Sequence, residues 1–197
     1  LDWLYFYEGV YLKHEKDNSD RLLKNILPDP IAQRLKDNME RTIADRFENV
    51  SVLFADIVNF TELADGISAE ELVNTLNDLF SRFDQRARIM GIEKIKTIGD
   101  AYMAVCGLPQ PSTNNATKII MFAMGMQEDL QDYNKTAKIP LEIRIGINCG
   151  PVVAGVIGKS KFIYDLWGDT VNVASRMESL CQPGKILVTE SVKFSCD

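Results

Sequence analysis

Hydrophobic and polar positions change period several times along this chain, and each change marks an element. Val50 to Val58 is apolar on both faces, as expected of a central strand. Ser68-Ala69-Glu70-Glu71 is a capping box. It opens a helix in which Leu72, Leu76, Leu79 and Phe83 recur every three or four residues, a core stripe. Gly91 ends that connection. Ile92 to Ile98 and Ala101 to Val105 read as a hairpin about Gly99-Asp100, a type II′ turn signal, with Lys94 and Lys96 sharing a face by alternation. Pro109 to Asn115 is a loop, and Ala116 to Tyr133 a second long helix with Ile119, Ile120, Ala123, Met126 and Leu130 inward. Leu141 to Asn148 is a strand, Gly150-Pro151 a turn, and Val152 to Ile157 the returning strand. After a Gly158-Lys159-Ser160-Lys161 loop, Phe162 to Trp167 leads into Gly168-Asp169. A helix from about Thr170 to Leu180 follows, with Val173, Met177 and Leu180 toward the core. Lys185 to Thr189 is the last strand. The order βαββαβ, with additions, predicts an α+β fold: two helices on one face of a mostly antiparallel sheet.

The first 42 residues have a different texture. Leu1 to Leu12 is crowded with aromatics (Trp3, Tyr5, Phe6, Tyr7, Tyr11), and a wholly polar run follows. Leu22, Leu23, Ile26 and Leu27 fall at helical spacing until Pro28 stops them, and Ile31 to Met39 is a second short helix. The polar mid-section argues for a helical stalk (1–42) that pairs with another copy, rather than a helix folded back on its own domain (43–197).

Composition narrows the class. With 197 residues, 46% hydrophobic and 25% charged, the chain has the makeup of a soluble globular domain plus an appendage. A net charge of −6 argues against a nucleic-acid partner, which would call for a basic stripe. Cys106, Cys149, Cys181 and Cys196 form no Cys-x-x-Cys pair, which suits a reduced, cytoplasmic protein without structural zinc. The single histidine, His14, sits in a charged run and reads as solvated. No apolar segment is long enough to span a bilayer. The missing initial Met suggests a piece of a longer protein, whose upstream part is expected to be a regulatory or membrane domain, with this part on the cytoplasmic side.

Four features carry candidate chemistry. Asp56 lies inside an apolar strand, and Asp100 lies in a turn between two strands. A buried carboxylate wants a cation or donors, and two at strand ends suit Mg²⁺; each is alternatively a turn-capping Asp. In DIVNFT, a strand, a tight turn and a helix start line up backbone N–H groups, which suits phosphate, although no Walker-type loop is present. Lys96 and Asp165 form a donor and an acceptor that match the N1 and N6 edge of adenine, or a surface ion pair. Asn172 and Arg176, four apart on one helix, could steady a pentavalent phosphorus, or form an exposed polar face. Arg144, a cation in an apolar strand, reaches a phosphate or completes an ion pair.

The stretches FADIVNFT, EKIKTIGDAYMAV, RIGINCGPVVAGVIG and YDLWGDTVNVASRMES together resemble the class III nucleotidyl cyclase catalytic domain, over about Phe47 to Glu190. LLKNILPDPIAQRLK resembles the helical transducing segment that precedes many such domains. The resemblance implies a ferredoxin-like βαββαβ sandwich after a helical stalk. It implies two Mg²⁺ per site (Mn²⁺ substituting) held by Asp56, Ile57 and Asp100, and substrate contacts from Phe60, Thr61 and Arg144. Lys96 and Asp165 would read adenine; guanylyl members tend to carry Glu and Cys there. Asn172 would orient the ribose and Arg176 stabilise the transition state. A head-to-tail homodimer is implied, one subunit supplying the metal carboxylates and the other Lys96, Asp165, Asn172 and Arg176. The family's domain continues through further strands with a triphosphate-binding lysine in a Lys-Gly-Lys-type loop, and the sequence stops at Asp197 before them. The expected activity is conversion of ATP to 3′,5′-cyclic AMP and pyrophosphate. The alternatives are a guanylyl cyclase and a catalytically silent nucleotide-sensing dimerisation domain. A cyclic-dinucleotide synthase lacks support, because its GGDEF-like signature is missing.

Overall fold

The computed structural model describes residues 2–38, 42–158 and 161–196, with side chains from Val10 onward. The side chains of Trp3, Tyr5, Phe6 and Tyr7 are not among those described, and the helix end at Met39 and the Lys159-Ser160 loop lie outside the described residues. In chain order the elements are α1 (Asp2–Lys24), α2 (Asp29–Asp37), β1 (Ala44–Ile57), α3 (Phe60–Gly66), α4 (Ala69–Met90), β2 (Glu93–Ile98), β3 (Ala101–Cys106) and α5 (Asn115–Asn134). They continue with β4 (Ile143–Ile157), β5 (Ile163–Trp167), α6 (Asp169–Leu180), β6 (Ile186–Val188) and α7 (Glu190–Phe194).

The chain forms two compact units: Leu1–Ala44 with Gly155–Tyr164, and Asp45–Ala154 with Asp165–Asp197. In the first, α1 ends at Lys24, before Pro28, and α2 starts with Pro28 as its N-cap and Pro30 in its first turn, where proline is tolerated. α2 buries Ile31, Ala32 and Leu35, and Lys36 pairs with Asp20 of α1 at 2.5 Å. α1 leaves Val10, Tyr11, Leu12 and Leu22 exposed.

The sheet runs β2-β3-β1-β4-β5, with β6 also on β4; β1–β3 and β2–β3 are antiparallel and β4–β6 is parallel. This is the ferredoxin-like order, with β1 central, and Val50 to Ala55 is buried on both faces. Successive side chains on a strand alternate faces. One face of the sheet therefore presents Leu53, Ala55 and Ile57, Tyr102 and Ala104, and Ile143, Ile145 and Ile147. Against it pack Leu79 and Phe83 of α4 and Ile119, Phe122 and Met126 of α5. Each such aliphatic or aromatic side chain contributes about 1.5–3 kcal/mol on leaving water. Ser68 caps α4 reciprocally: its Oγ accepts from Glu71 N (3.2 Å), and Ser68 N donates to Glu71 Oε2 (3.3 Å). Arg86 joins the two helices through two 2.7 Å bonds to Asp129.

Three expectations are corrected. Gly150-Pro151 does not reverse the chain: β4 is one 15-residue strand that runs through Gly150 at φ 157°, a conformation that favours glycine. β4 pairs β6 over Ile145–Ile147, so proline's missing donor falls past the β6 pairing. Lys94 and Lys96 do not share a face. A bulge shifts the register between them, so Lys94 pairs with Ala104 but Lys96 with Met103. Lys94 accordingly meets α4, donating to Asp84 Oδ2 at 2.8 Å, while Tyr102 Oη donates to Asp84 Oδ1 at 2.7 Å. Lys96 turns to the opposite face. Finally, α6 buries Thr170, Ala174 and Glu178, while Leu180 is 72% exposed. Gly146 is the cause: a Cβ there would collide with the backbone at Met177 and Glu178, so the helix lies directly on β4 along that stripe.

Candidate active site

The chemistry gathers on the sheet face opposite α4 and α5. Asp56 and Arg144 alternate with the core residues of β1 and β4, and therefore project from that opposite face. Asp56 pairs with Ala101 in the β1–β3 ladder, which brings the Gly99-Asp100 turn to the same end of the sheet. Gly99 takes φ 61° while Asp100 keeps a negative φ, as a type II′ turn requires. After β1, Asn59 adopts the left-handed conformation (φ 57°), which asparagine tolerates better than most residues. The chain turns there into α3. Asp56, Ile57, Phe60, Thr61, Asp100 and Arg144 consequently line one cavity of about 390 Å³, together with Val58, Asn59 and Glu62. Six of the ten sequence-predicted site residues meet in this cavity.

Its electrostatics favour cations. Arg144 Nη2 donates to Asp56 Oδ2 at 2.8 Å, and Arg144 Nε lies 2.6 Å from Glu178 Oε1 without the alignment of a hydrogen bond. Burial, and after it the charge of Asp56, holds the Asp100 carboxyl above its ordinary range. Glu178 is raised by the same two causes in the same order. Three carboxylates thus share one guanidinium. Among the described residues no group of three or more His, Cys, Asp or Glu is set to ligate a metal ion. The donor set still fits Mg²⁺, which commonly takes one or two carboxylates and fills its remaining positions with water and substrate phosphates. Asp56 and Asp100 could hold it, with the main chain of Ile57 beside them.

The other four predicted residues lie outside that cavity. Lys96 Nζ donates to Asp165 Oδ2 at 2.5 Å, and Leu166 N donates to Asp165 Oδ1 at 2.8 Å, which fixes the carboxylate plane. Asn172 and Arg176 are exposed on α6. Sequence reasoning missed Glu178. The available signal was its spacing: with Thr170 and Ala174 it repeats every fourth residue, and a carboxylate on a buried stripe implies a cation opposite.

The family model described as the adenylate and guanylate cyclase catalytic domain matches residues 42–196. The chain belongs to this family. The chain is 45% identical over 181 residues to an adenylate cyclase of Mycobacterium tuberculosis, an alignment covering 92% of this chain and 41% of that protein. It is 40% identical over 177 residues to the guanylate cyclase soluble subunit beta-2 of Rattus norvegicus, covering 89% and 26% respectively. It therefore spans about two fifths of the mycobacterial relative and a quarter of the rat one. Among solved structures it resembles the catalytic core of a rhodopsin-guanylyl cyclase with converted specificity in complex with ATPalphaS. That likeness has a TM-score of 0.72 at 41% identity and covers 77% of this chain and 83% of that one.

Proposed function

We propose that this domain is an adenylyl cyclase, converting ATP to 3′,5′-cyclic AMP and pyrophosphate. The observation that carries the reading is the meeting of Asp56, Asp100 and Arg144 in one cavity at the end of β1. Asp56, Ile57 and Asp100 would hold two Mg²⁺, or Mn²⁺ in their place. Bound there, the ions supply Lewis acidity that lowers the pKa of the ribose 3′-hydroxyl and neutralises the triphosphate. Arg144, with the chain at Phe60 and Thr61, takes up phosphate charge. Lys96 donates to adenine N1, and Asp165 accepts from the N6 amino group. Guanine inverts this pattern and leaves both side chains unpaired. Asn172 orients the ribose, and Arg176 neutralises charge as the 3′-oxygen bonds to the α-phosphorus and the bond to pyrophosphate breaks. Catalysis of this kind is positioning and charge compensation.

A head-to-tail homodimer completes the site. One subunit supplies Asp56, Asp100 and Arg144, and the other supplies Lys96, Asp165, Asn172 and Arg176. The exposure of Asn172 and Arg176, away from the Asp56 cavity, supports this. Both sets stand on one chain, so a homodimer has two sites. The apolar side chains exposed along α1 support a second contact through the helical segment 1–42, which would pass on the state of an upstream regulatory or membrane domain. No helix among the described residues is long and apolar enough to cross a membrane, and we place this domain in the cytoplasm or on the cytoplasmic face of one. An acidic chain has no claim on nucleic acid.

The test is product formation by the purified domain given ATP or GTP with Mg²⁺ or Mn²⁺. The expected result is cyclic AMP, with ATP preferred by at least about tenfold, as for a pocket that pairs with polar groups on its substrate. Preference for GTP would make this a guanylyl cyclase, and no product from either would make it a silent nucleotide-binding partner.

A further inference from the structure

Glu178 is a charged side chain only 8% exposed, and the chemistry proposed above gives it no task. Its Oε1 lies 2.6 Å from Arg144 Nε, while its Oε2 accepts from Ser179 Oγ at 3.4 Å. The other end of the same guanidinium, Nη2, donates to Asp56 Oδ2 at 2.8 Å. One cation therefore spans two carboxylates through different nitrogens, and one of those carboxylates is a proposed metal ligand. The contact is built into the fold. Gly146 sits two residues beyond Arg144 on the same face of β4, and any larger residue there would hold α6 off the strand and carry Glu178 away.

A metal ion and Arg144 compete for Asp56. An arginine whose only anion is Asp56 would hold it tightly. One that also faces Glu178 divides its charge and keeps its stem anchored when the Nη end lets go. We propose that Glu178 is a positioning residue that draws Arg144 off Asp56, raising the affinity of the site for the metal ion and freeing the Nη groups to turn to the incoming phosphates. This inference rests on the reading of Asp56 and Asp100 as metal ligands.

The experiment is a Mn²⁺ titration of the full chain without nucleotide, following free Mn²⁺ by electron paramagnetic resonance. It compares wild type, Glu178→Gln, Arg144→Met, the double variant and Asp56→Asn. Glu178→Gln should weaken Mn²⁺ binding by about fivefold, a coupling typical of contacting charged groups. Arg144→Met should tighten it, and the double variant should bind like Arg144→Met alone. Equal affinity of wild type and Glu178→Gln would overturn the inference. So would a loss that persists in the double variant, because that would mark a plain field effect of the missing charge. Should Glu178→Gln fail to fold, Glu178→Asp, which keeps the charge but withdraws it from Nε, should show the same direction and the same dependence on Arg144. If wild type binds no Mn²⁺, or Asp56→Asn leaves binding unchanged, the metal reading itself fails and takes this inference with it.

Discussion

Lys96 Nζ stands 2.5 Å from Asp165 Oδ2 across 69 residues of chain, and the bulge in β2 is what turns Lys96 to that face. The pair presents a donor beside an acceptor, and Leu166 N holds the acceptor in place. Replacing both, Lys96→Glu with Asp165→Cys, should lower kcat/KM for ATP by about 10²-fold or more and raise the relative use of GTP, since the purine edge then meets mismatched groups. Steady-state kinetics with both nucleotides checks this; an unchanged ratio would mean that the pair is structural.

The raised carboxyl at Asp100 predicts a pH dependence with a definite sign. Burial first, and then Asp56, push its folded pKa up. A carboxyl that binds its proton more tightly when folded contributes stability that is complete below its unfolded pKa of about 3.9 and is lost as pH rises through the folded value. The metal-free domain should lose that part of its stability as pH climbs above about 4. Mg²⁺ should restore it, and Asp100→Asn should flatten the slope. Urea unfolding across this range, with and without Mg²⁺, measures all three.

Gly146→Ala should do more than a methyl usually does. Its Cβ would collide with the α6 backbone at Met177 and Glu178, so the helix must lift off β4. The expected cost is about 1–3 kcal/mol of stability, together with reduced turnover as Glu178 leaves Arg144. A urea midpoint and a cyclase assay on one preparation read both effects.

Ser68→Ala is the contrasting case. It removes one half of an exposed capping box whose residues do not line the cavity around Asp56. About 1 kcal/mol of stability should go, with kcat and KM unchanged in the same assays.

Local signals were readable wherever one residue's chemistry dictates its neighbours. Ser68 and Glu71 announced the start of α4, Gly99-Asp100 announced the hairpin, and an aspartate amid the apolar run of β1 announced the cavity. What stayed hidden depends on partners distant in sequence. Alternation put Lys94 and Lys96 on one face, because a bulge leaves no mark in a run such as EKIKTI. Gly150-Pro151 reads locally as a reversal, because the sheet neighbours that keep β4 extended through it are distant in sequence. Hydrophobicity alone points the inward stripe of α6 to Val173, Met177 and Leu180. The helix instead buries Thr170, Ala174 and Glu178, since Gly146 and Arg144 await it on β4.

The central claim is that Asp56 and Asp100 seat the ions on which cyclisation depends, and Asp56→Ala tests it most directly. Arg144 keeps Glu178 as its partner in that variant, so no buried cation is stranded and the fold should hold. Cyclic AMP formation should be measured under saturating ATP and Mg²⁺ alongside the circular dichroism spectrum. The account predicts an unchanged spectrum and no turnover; a well-folded Asp56→Ala domain that still makes cyclic AMP would contradict it.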